Sequence, residues 1–104
     1  MKISVIIPVK NRELTIKQSI ESVLLSNYDN LEIIVVDNNS TDKTGEIVKR
    51  FENVIYVKNN KDQERSYSRN VGIKISTGDF ITFLDSDDLF SKDIFECFKK
   101  TQQK

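Results

Sequence analysis

Residues 80–90 read FITFLDSDDLF, an apolar run that passes directly into three aspartates. The run is typical of a buried strand, because aromatic and β-branched residues are enriched in sheets. The aspartates Asp85, Asp87 and Asp88 repel one another when they are ionised. Their position at the end of a strand therefore predicts either a capped turn before a helix or a site for a cation.

The strand-then-helix pattern of this stretch occurs four times along the chain. Strands that alternate with helices at this spacing form right-handed βαβ units around a parallel sheet. The sequence therefore predicts one α/β domain over residues 1–104. We expect a three-layer αβα architecture in which the central sheet is mostly parallel. Predicted strands lie at 3–8, 31–36, 54–57 and 79–84, and predicted helices lie at about 14–25, after the loop at 37–45, at 65–75 and from Ser91 onward.

Two helix boundaries have recognisable signals, and one helix has a predicted inner face. Residues 40–42 are all good N-cap residues ahead of the second helix. Gly78 follows the third helix, near the position where a left-handed residue often ends a helix. Tyr67, Val71 and Ile75 recur every four residues, so we expect this face of the third helix to pack.

Composition narrows the classes of function. Sixteen basic residues balance sixteen acidic ones, so no nucleic-acid binding is predicted. The chain has no histidine, so acid–base or metal chemistry would rest on carboxylates. The single cysteine, Cys97, cannot form an internal disulfide, and no apolar run approaches the length of a membrane span. A cytoplasmic location without a transmembrane segment is therefore predicted.

Parallel strands end at one rim of a sheet, where ligands bind near a topological switch point. Polar residues follow the first, second and fourth strands, at 8–12, 37–39 and 85–88. We therefore expect Asp37 and the acidic cluster to face one crevice. Two carboxylates of an Asp-x-Asp segment can approach one hard divalent cation, such as Mg²⁺ or Mn²⁺, which keeps open positions for phosphate oxygens.

The same residues also have structural interpretations. Asp37 could anchor the loop before the second helix, and the acidic cluster could cap the helix that follows it. Arg69 could be a solvated helix residue, and Lys10 and Arg12 could either be exposed or approach a phosphate. The loop after the first strand contains no glycine, which excludes the turn of a classical dinucleotide-binding domain.

Three segments carry a resemblance to a known family: SVIIPVKNR at 4–12, LEIIVVDNNSTDKT at 31–44 and SRNVGIKISTGDFITFLDSDD at 68–88. In this order they resemble the N-terminal, nucleotide-sugar-binding half of the family 2 glycosyltransferases, over essentially the whole chain. The resemblance implies the Rossmann-like GT-A fold, truncated because the acceptor-binding half would lie beyond residue 104. We expect strand order 3-2-1-4, with the site at the switch between strands one and four.

The resemblance also implies an activity. Members of the family transfer a sugar from a nucleotide-diphosphate sugar to an acceptor. This chain would accordingly bind Mn²⁺ or Mg²⁺ and a UDP-sugar, and it would act on a sugar or a lipid-linked acceptor. The acid that serves as catalytic base in inverting members would lie beyond the chain, so no catalytic residue is predicted here. The alternative is a noncatalytic nucleotide-sugar-binding module or a remnant without turnover.

Roles for individual residues follow from the family pattern by position. Pro8 and Asn11 would lie in the loop beneath the nucleotide base. Asp37 would accept a hydrogen bond from the base, typically from a uracil N–H. Arg69 would lie near the base and help to hold the Asp37 loop.

The acidic cluster has its own implied roles. Asp85 would contact the ribose or the water shell of the metal, and Asp87 would bind the metal that bridges the diphosphate. Two loops depart from the family pattern. Lys10 replaces an aromatic residue that many members stack on the base, and Asn38 and Asn39 replace the usual second acid or glycine.

The fourth strand also predicts an interaction. It is interior in the family, but here it would end the sheet. An apolar edge such as residues 80–84 is a template for pairing with another strand. We therefore expect a homodimer through this edge, or its coverage by the last helix.

Overall fold

The computed structural model describes residues 1–26 and 28–89, and it contains a four-stranded parallel sheet in the order β3-β2-β1-β4. The predicted α/β architecture and strand order are confirmed. The helix predicted from Ser91 onward, with Cys97, lies outside the described residues. The strands are β1 (Ile3–Val9), β2 (Leu31–Asp37), β3 (Val54–Lys58) and β4 (Phe80–Phe83), and the helices are α1 (Ile16–Leu24), α2 (Thr44–Lys49) and α3 (Arg65–Ile75).

Helices cover both faces of the sheet, as the three-layer prediction requires. Side chains alternate between the two faces along a strand, so β1 and β2 divide their apolar residues between two cores. The larger core packs against α1 and α2, and it includes Val5, Ile7, Ile20, Val35 and Val48. The smaller core packs against α3, and it consists of Ile6, Ile34 and Val36 with the partly buried Val71.

The predicted inner face of α3 is wrong in part. Tyr67 is 47% exposed and Ile75 is 37% exposed, whereas Ser68 and Gly72 are buried against the sheet. The physical reason is a close approach of the helix to β1. A Cβ atom on Gly72 would lie only 2.5 Å from the Cγ2 atom of Ile6, so only small residues fit at this contact. Large side chains therefore lie to the sides of the contact.

Gly78 also has a different role from the predicted one. The end of α3 is Ser76 in an extended conformation, and the described glycines all have negative or extended backbone angles. A Cβ atom on Gly78 would lie 2.5 Å from Ser4 Oγ and 2.7 Å from Ser4 N. Gly78 is therefore required by its contact with the start of β1, where its N–H donates to Ser4 Oγ.

The start of α2 corrects the N-cap prediction, because Lys43 occupies the N-cap position and none of the three candidates does. The Oδ1 atom of Asp42 accepts a hydrogen bond of 2.9 Å from the Thr44 N–H, at the first residue of the helix. Ser40 and Thr41 instead contact the loop after β1.

None of the helices in the described ranges is long and apolar enough to span a membrane.

Candidate functional site

A cavity of about 310 Å³ opens at the rim where β1 and β4 end. These strands flank the point at which the strand order reverses, the usual place for a ligand in an open α/β sheet. Of the six residues singled out from the family pattern, Pro8, Asp85 and Asp87 line the cavity, whereas Asn11, Asp37 and Arg69 do not. The lining consists of Pro8, Val9, Lys10, Arg12, Asn38, Arg65, Ser68, Asp85, Ser86 and Asp87.

The acidic cluster forms one group of possible ligands. Asp85, Asp87 and Asp88 are all exposed, and one carboxylate oxygen of each lies within 4.8 Å of the others. Carboxylate oxygens are the donors that Mg²⁺ and Mn²⁺ prefer, and two of the three residues, Asp85 and Asp87, also line the cavity. The donor set therefore fits a hard divalent cation.

Helix α1 holds the backbone of the acidic loop. The carbonyl of Ser86 accepts hydrogen bonds of 3.0 Å from Thr15 Oγ1 and from Ser19 Oγ, and the carbonyl of Asp88 accepts one of 2.7 Å from Ser19. The buried Ser19 lies within the apolar stripe of α1. Sequence reasoning missed both hydroxyl residues, although a serine inside an apolar stripe is a signal of a buried hydrogen bond.

Asp37 lies outside the cavity, which corrects the prediction that it faces the same crevice as the acidic cluster. Its side chain lies on the same face of β2 as Ile33 and Val35, the face that α2 covers. The residue is 1% exposed, Oδ1 accepts from the Ser40 N–H at 2.9 Å, and Oδ2 accepts from Tyr56 Oη at 2.6 Å. This geometry matches the alternative interpretation, in which Asp37 anchors the loop before α2.

Asn11 joins two loops of the rim. Its backbone has a φ of 51°, a left-handed conformation that asparagine tolerates better than most residues. Its N–H donates to Ser40 Oγ at 2.9 Å, and its Oδ1 accepts from the Thr41 N–H at 2.8 Å. These bonds fix the loop after β1, which contains the cavity residues Lys10 and Arg12, against the loop after β2.

Arg69 lies on the α3 side of the sheet, opposite the side chain of Asp37. Its guanidinium is 5.4 Å from the centre of the Phe83 ring, and its Nε is buried without a hydrogen-bond partner among the described residues. The predicted support of the Asp37 loop by Arg69 is therefore not seen in the part of the chain that the structure describes.

Asn38 supplies much of that support, and this explains one departure from the family pattern. Its Oδ1 accepts hydrogen bonds from the Gln63 N–H at 2.9 Å and from Asn59 Nδ2 at 3.1 Å. Its Nδ2 donates to the Gln63 carbonyl at 2.9 Å. An aspartate could not make this last bond, because a carboxylate has no donor. The amide thus ties the loop after β2 to the loop before α3.

Two of the cationic residues in the lining are already engaged. Lys10 Nζ forms an ion pair of 2.9 Å with Asp62 Oδ1, which also accepts from Asn39 Nδ2 at 3.2 Å. The hydrogen bonds from Lys10 and Asn39 lower the pKa of the exposed Asp62 carboxyl. Arg12 Nη1 donates to the carbonyl of Asn11 at 3.1 Å. The third, Arg65, was not predicted from the sequence.

Comparisons with known proteins agree on one family. The family model for glycosyl transferase family 2 matches residues 4–103. An uncharacterized glycosyltransferase from Rickettsia felis is 45% identical over 98 residues, which are 91% of this chain and 16% of that protein. WfaP from Escherichia coli, named UDP-Glc:alpha-D-GlcNAc-diphosphoundecaprenol beta-1,3-glucosyltransferase, is 41% identical over 88 residues, which are 83% of this chain and 35% of that protein.

A solved structure extends the similarity to the fold. The crystal structure of S. aureus TarS 1-349 in complex with UDP superposes with a TM-score of 0.86 and 31% identity, over 96% of this chain and 31% of that one. The fold is therefore the GT-A fold of glycosyltransferases. This chain spans a minor part of each of these longer proteins. The sequence match and the arrangement of the sheet lead to the same assignment: the chain belongs to glycosyl transferase family 2.

Proposed function

We propose that this chain is the donor-binding part of a glycosyltransferase, and that it binds a nucleotide-diphosphate sugar in the cavity between β1 and β4. The observation that carries the proposal is the lining, in which Asp85 and Asp87 share one cavity with three cationic side chains. A diphosphate needs both a divalent cation and direct positive partners, and this cavity offers residues for each. We propose a UDP-sugar as the donor and Mn²⁺ or Mg²⁺ as the ion.

The proposed roles follow from the positions of the side chains. Asp87, with Asp85 and Asp88, would hold the ion, which stabilises the departing nucleoside diphosphate electrostatically when it is bound. Pro8 lines the cavity and would contact the nucleotide, whereas Asn11 would act by fixing the loop that contains Lys10 and Arg12.

Asp37 and Arg69 take revised roles in this proposal. Asp37 would act on the base only indirectly, by holding the loop in which Asn38 reaches the cavity. A direct bond from Asp37 to a base N–H would require the buried carboxylate to become accessible. Arg69 is proposed to approach the donor only if its side chain leaves the Phe83 ring.

Calorimetric titration tests this proposal. UDP and GDP are each titrated into the protein, with and without Mn²⁺. We expect saturable binding of UDP that is tighter with Mn²⁺ and tighter than the binding of GDP. Absence of binding for both nucleotides under all four conditions would contradict the proposed function.

A noncatalytic nucleotide-sugar-binding module is the second candidate. Within residues 1–26 and 28–89, the only carboxylates that line the cavity are Asp85 and Asp87, and both belong to the cation cluster. No separate acid in this part of the chain therefore faces the cavity to act as a base. Donor hydrolysis distinguishes the two functions: Mn²⁺-dependent turnover that Asp87→Ala abolishes supports an enzyme, whereas binding without turnover supports a module.

The partners beyond the donor are also proposals. The name of WfaP gives that protein a lipid-linked diphosphate acceptor, and we propose a sugar or a lipid-linked acceptor for the protein to which this chain contributes. A cytoplasmic location would suit a nucleotide-sugar donor. We also retain the proposal of a homodimer through β4, because Ile81 and Phe83 on this edge strand are 40% and 41% exposed.

A further inference from the structure

Arg65 differs from the other two cationic residues of the cavity. Lys10 is paired with Asp62, and Arg12 Nη1 is bonded to a backbone carbonyl. The guanidinium of Arg65 makes no hydrogen bond or ion pair with any described residue, although the residue lines the cavity. Neither Asp85 nor Asp87 lies within ion-pair distance of it.

Arg65 and the acidic loop are held by helices on opposite faces of the sheet. Arg65 is the first residue of α3, which covers one face of the sheet. The backbone of the acidic loop is held by α1, which covers the other face. A ligand in the cavity can therefore contact Arg65 on one side and the acidic loop on the other.

We propose that Arg65 binds the diphosphate of the donor and gives the site its preference for nucleoside diphosphates over nucleosides. The inference rests on the proposed function and adds a residue to the same site. The aspartates would hold a divalent cation, which would neutralise part of the diphosphate charge, and Arg65 would add a direct positive partner. A guanidinium can donate two parallel hydrogen bonds to phosphate oxygens, whereas an ammonium of the same charge cannot form this fork.

The test compares ligands with and without phosphates. Titrations with Mg²⁺ measure the affinities of the wild type, Arg65→Ala, Arg65→Lys and the control Arg50→Ala for UDP and for uridine. Calorimetry reports UDP binding, and chemical-shift titration, which the diamagnetic Mg²⁺ permits, reports the weaker binding of uridine. Arg50 is also an exposed arginine, follows the last residue of α2 and does not line the cavity.

We expect Arg65→Ala to weaken UDP binding by about ten-fold to a hundred-fold, the usual effect of losing hydrogen bonds to a charged group. Uridine binding should not change, Arg65→Lys should recover part of the loss, and Arg50→Ala should bind both ligands like the wild type. The affinity of Arg65→Ala for UDP should also depend less steeply on salt, because one charged contact has been removed.

Two results would overturn the role of Arg65 and leave the proposed function in place. One is wild-type affinity of Arg65→Ala for UDP. The other is an equal loss of UDP and uridine binding in this variant, which would indicate a contact to the nucleoside or a change in the loop. If the wild type itself binds neither UDP nor GDP, the proposed function and the role of Arg65 are both wrong.

Discussion

The Tyr56 hydroxyl donates a hydrogen bond of 2.6 Å to Oδ2 of Asp37, and so joins the adjacent strands β2 and β3 below the rim of the site. Burial, this hydrogen bond and the negative charge of Asp37 raise the pKa of Tyr56. Asp37 in turn accepts from the Ser40 N–H, so the pair supports the loop that follows β2. A carboxylate expected to bind the ligand thus acts as part of the support of the cavity.

Replacing Tyr56 with phenylalanine tests this support. Tyr56→Phe leaves the buried Asp37 carboxylate with one partner fewer, and we expect the free energy of unfolding to fall by about 1–3 kcal/mol. Urea denaturation at neutral pH measures the change. Tyr67→Phe is the matched control, because the Tyr67 side chain is 47% exposed. Equal effects of the two variants would contradict the structural role of the Tyr56 hydroxyl.

Gly72 sets the distance between α3 and β1. Alanine is the better helix former by up to about 1 kcal/mol, but its Cβ would lie 2.5 Å from Ile6 Cγ2. We expect the clash to dominate, so Gly72→Ala should destabilise the protein by about 1–3 kcal/mol in urea denaturation. Asn70→Ala, at an exposed position of the same helix, should change stability by less than about 0.5 kcal/mol. A Gly72→Ala variant more stable than the wild type would show that the contact is looser than described.

The environment of Glu32 should make the free energy of unfolding depend on pH. Its burial opposes ionisation, but hydrogen bonds from Ser4 and Thr77 and the charge of Lys2 outweigh burial and lower the pKa below its ordinary value of 4.5. Because the folded-state pKa is depressed, this stabilisation is present above the unfolded pKa and is lost as pH falls through the folded pKa.

The variant Glu32→Gln should therefore be less stable than the wild type at pH 7, by about 1 kcal/mol, and the difference should shrink as the pH falls below about 4.5. Urea denaturation between pH 7 and pH 3 measures it, with Glu52→Gln at an exposed loop position as the control. A difference between wild type and Glu32→Gln that stays constant over this range would contradict the assignment.

The exposed edge of β4 predicts association. Ile81 on β4 and Ile55 on β3 are exposed to nearly the same extent, 40% and 41%, on the two edge strands of the described sheet. If the chain dimerises through β4, Ile81→Lys should weaken the dimer by about ten-fold or more in sedimentation equilibrium, because a lysine on an edge opposes strand pairing. Ile55→Lys should have no such effect. A strictly monomeric wild type at high concentration would rule out the homodimer.

Much of the fold could be predicted from the sequence because strand periodicity and strand–helix alternation are local signals. The continuous apolar run of β1 identified a strand covered on both faces, and the sheet order followed from the family resemblance. The inner face of α3 could not be predicted in the same way. The close approach of Gly72 to Ile6 decides the rotation of this helix, and that contact joins distant parts of the chain.

The candidate site was predictable where the backbone alone decides the position. Asp85 and Asp87 follow a strand that ends at the rim, so they reach the cavity. Asp37 also ends a strand, but whether its side chain reaches the cavity depends on which helices cover its face of the sheet. Arg65 escaped prediction for a related reason, since only the packing of α3 determines which residue of its first turn lines the cavity.

The most direct measurement is the coupling between Mn²⁺ and UDP. If UDP and Mn²⁺ stabilise each other in one cavity, each raises the affinity of the protein for the other, and linkage requires the two factors to be equal. We predict a coupling of about ten-fold or more in the wild type and in Asp29→Asn, an exposed aspartate outside the cavity, and its loss in Asp87→Asn. Calorimetric UDP affinities that are equal with and without Mn²⁺, or a coupling that survives in Asp87→Asn, would contradict the shared site.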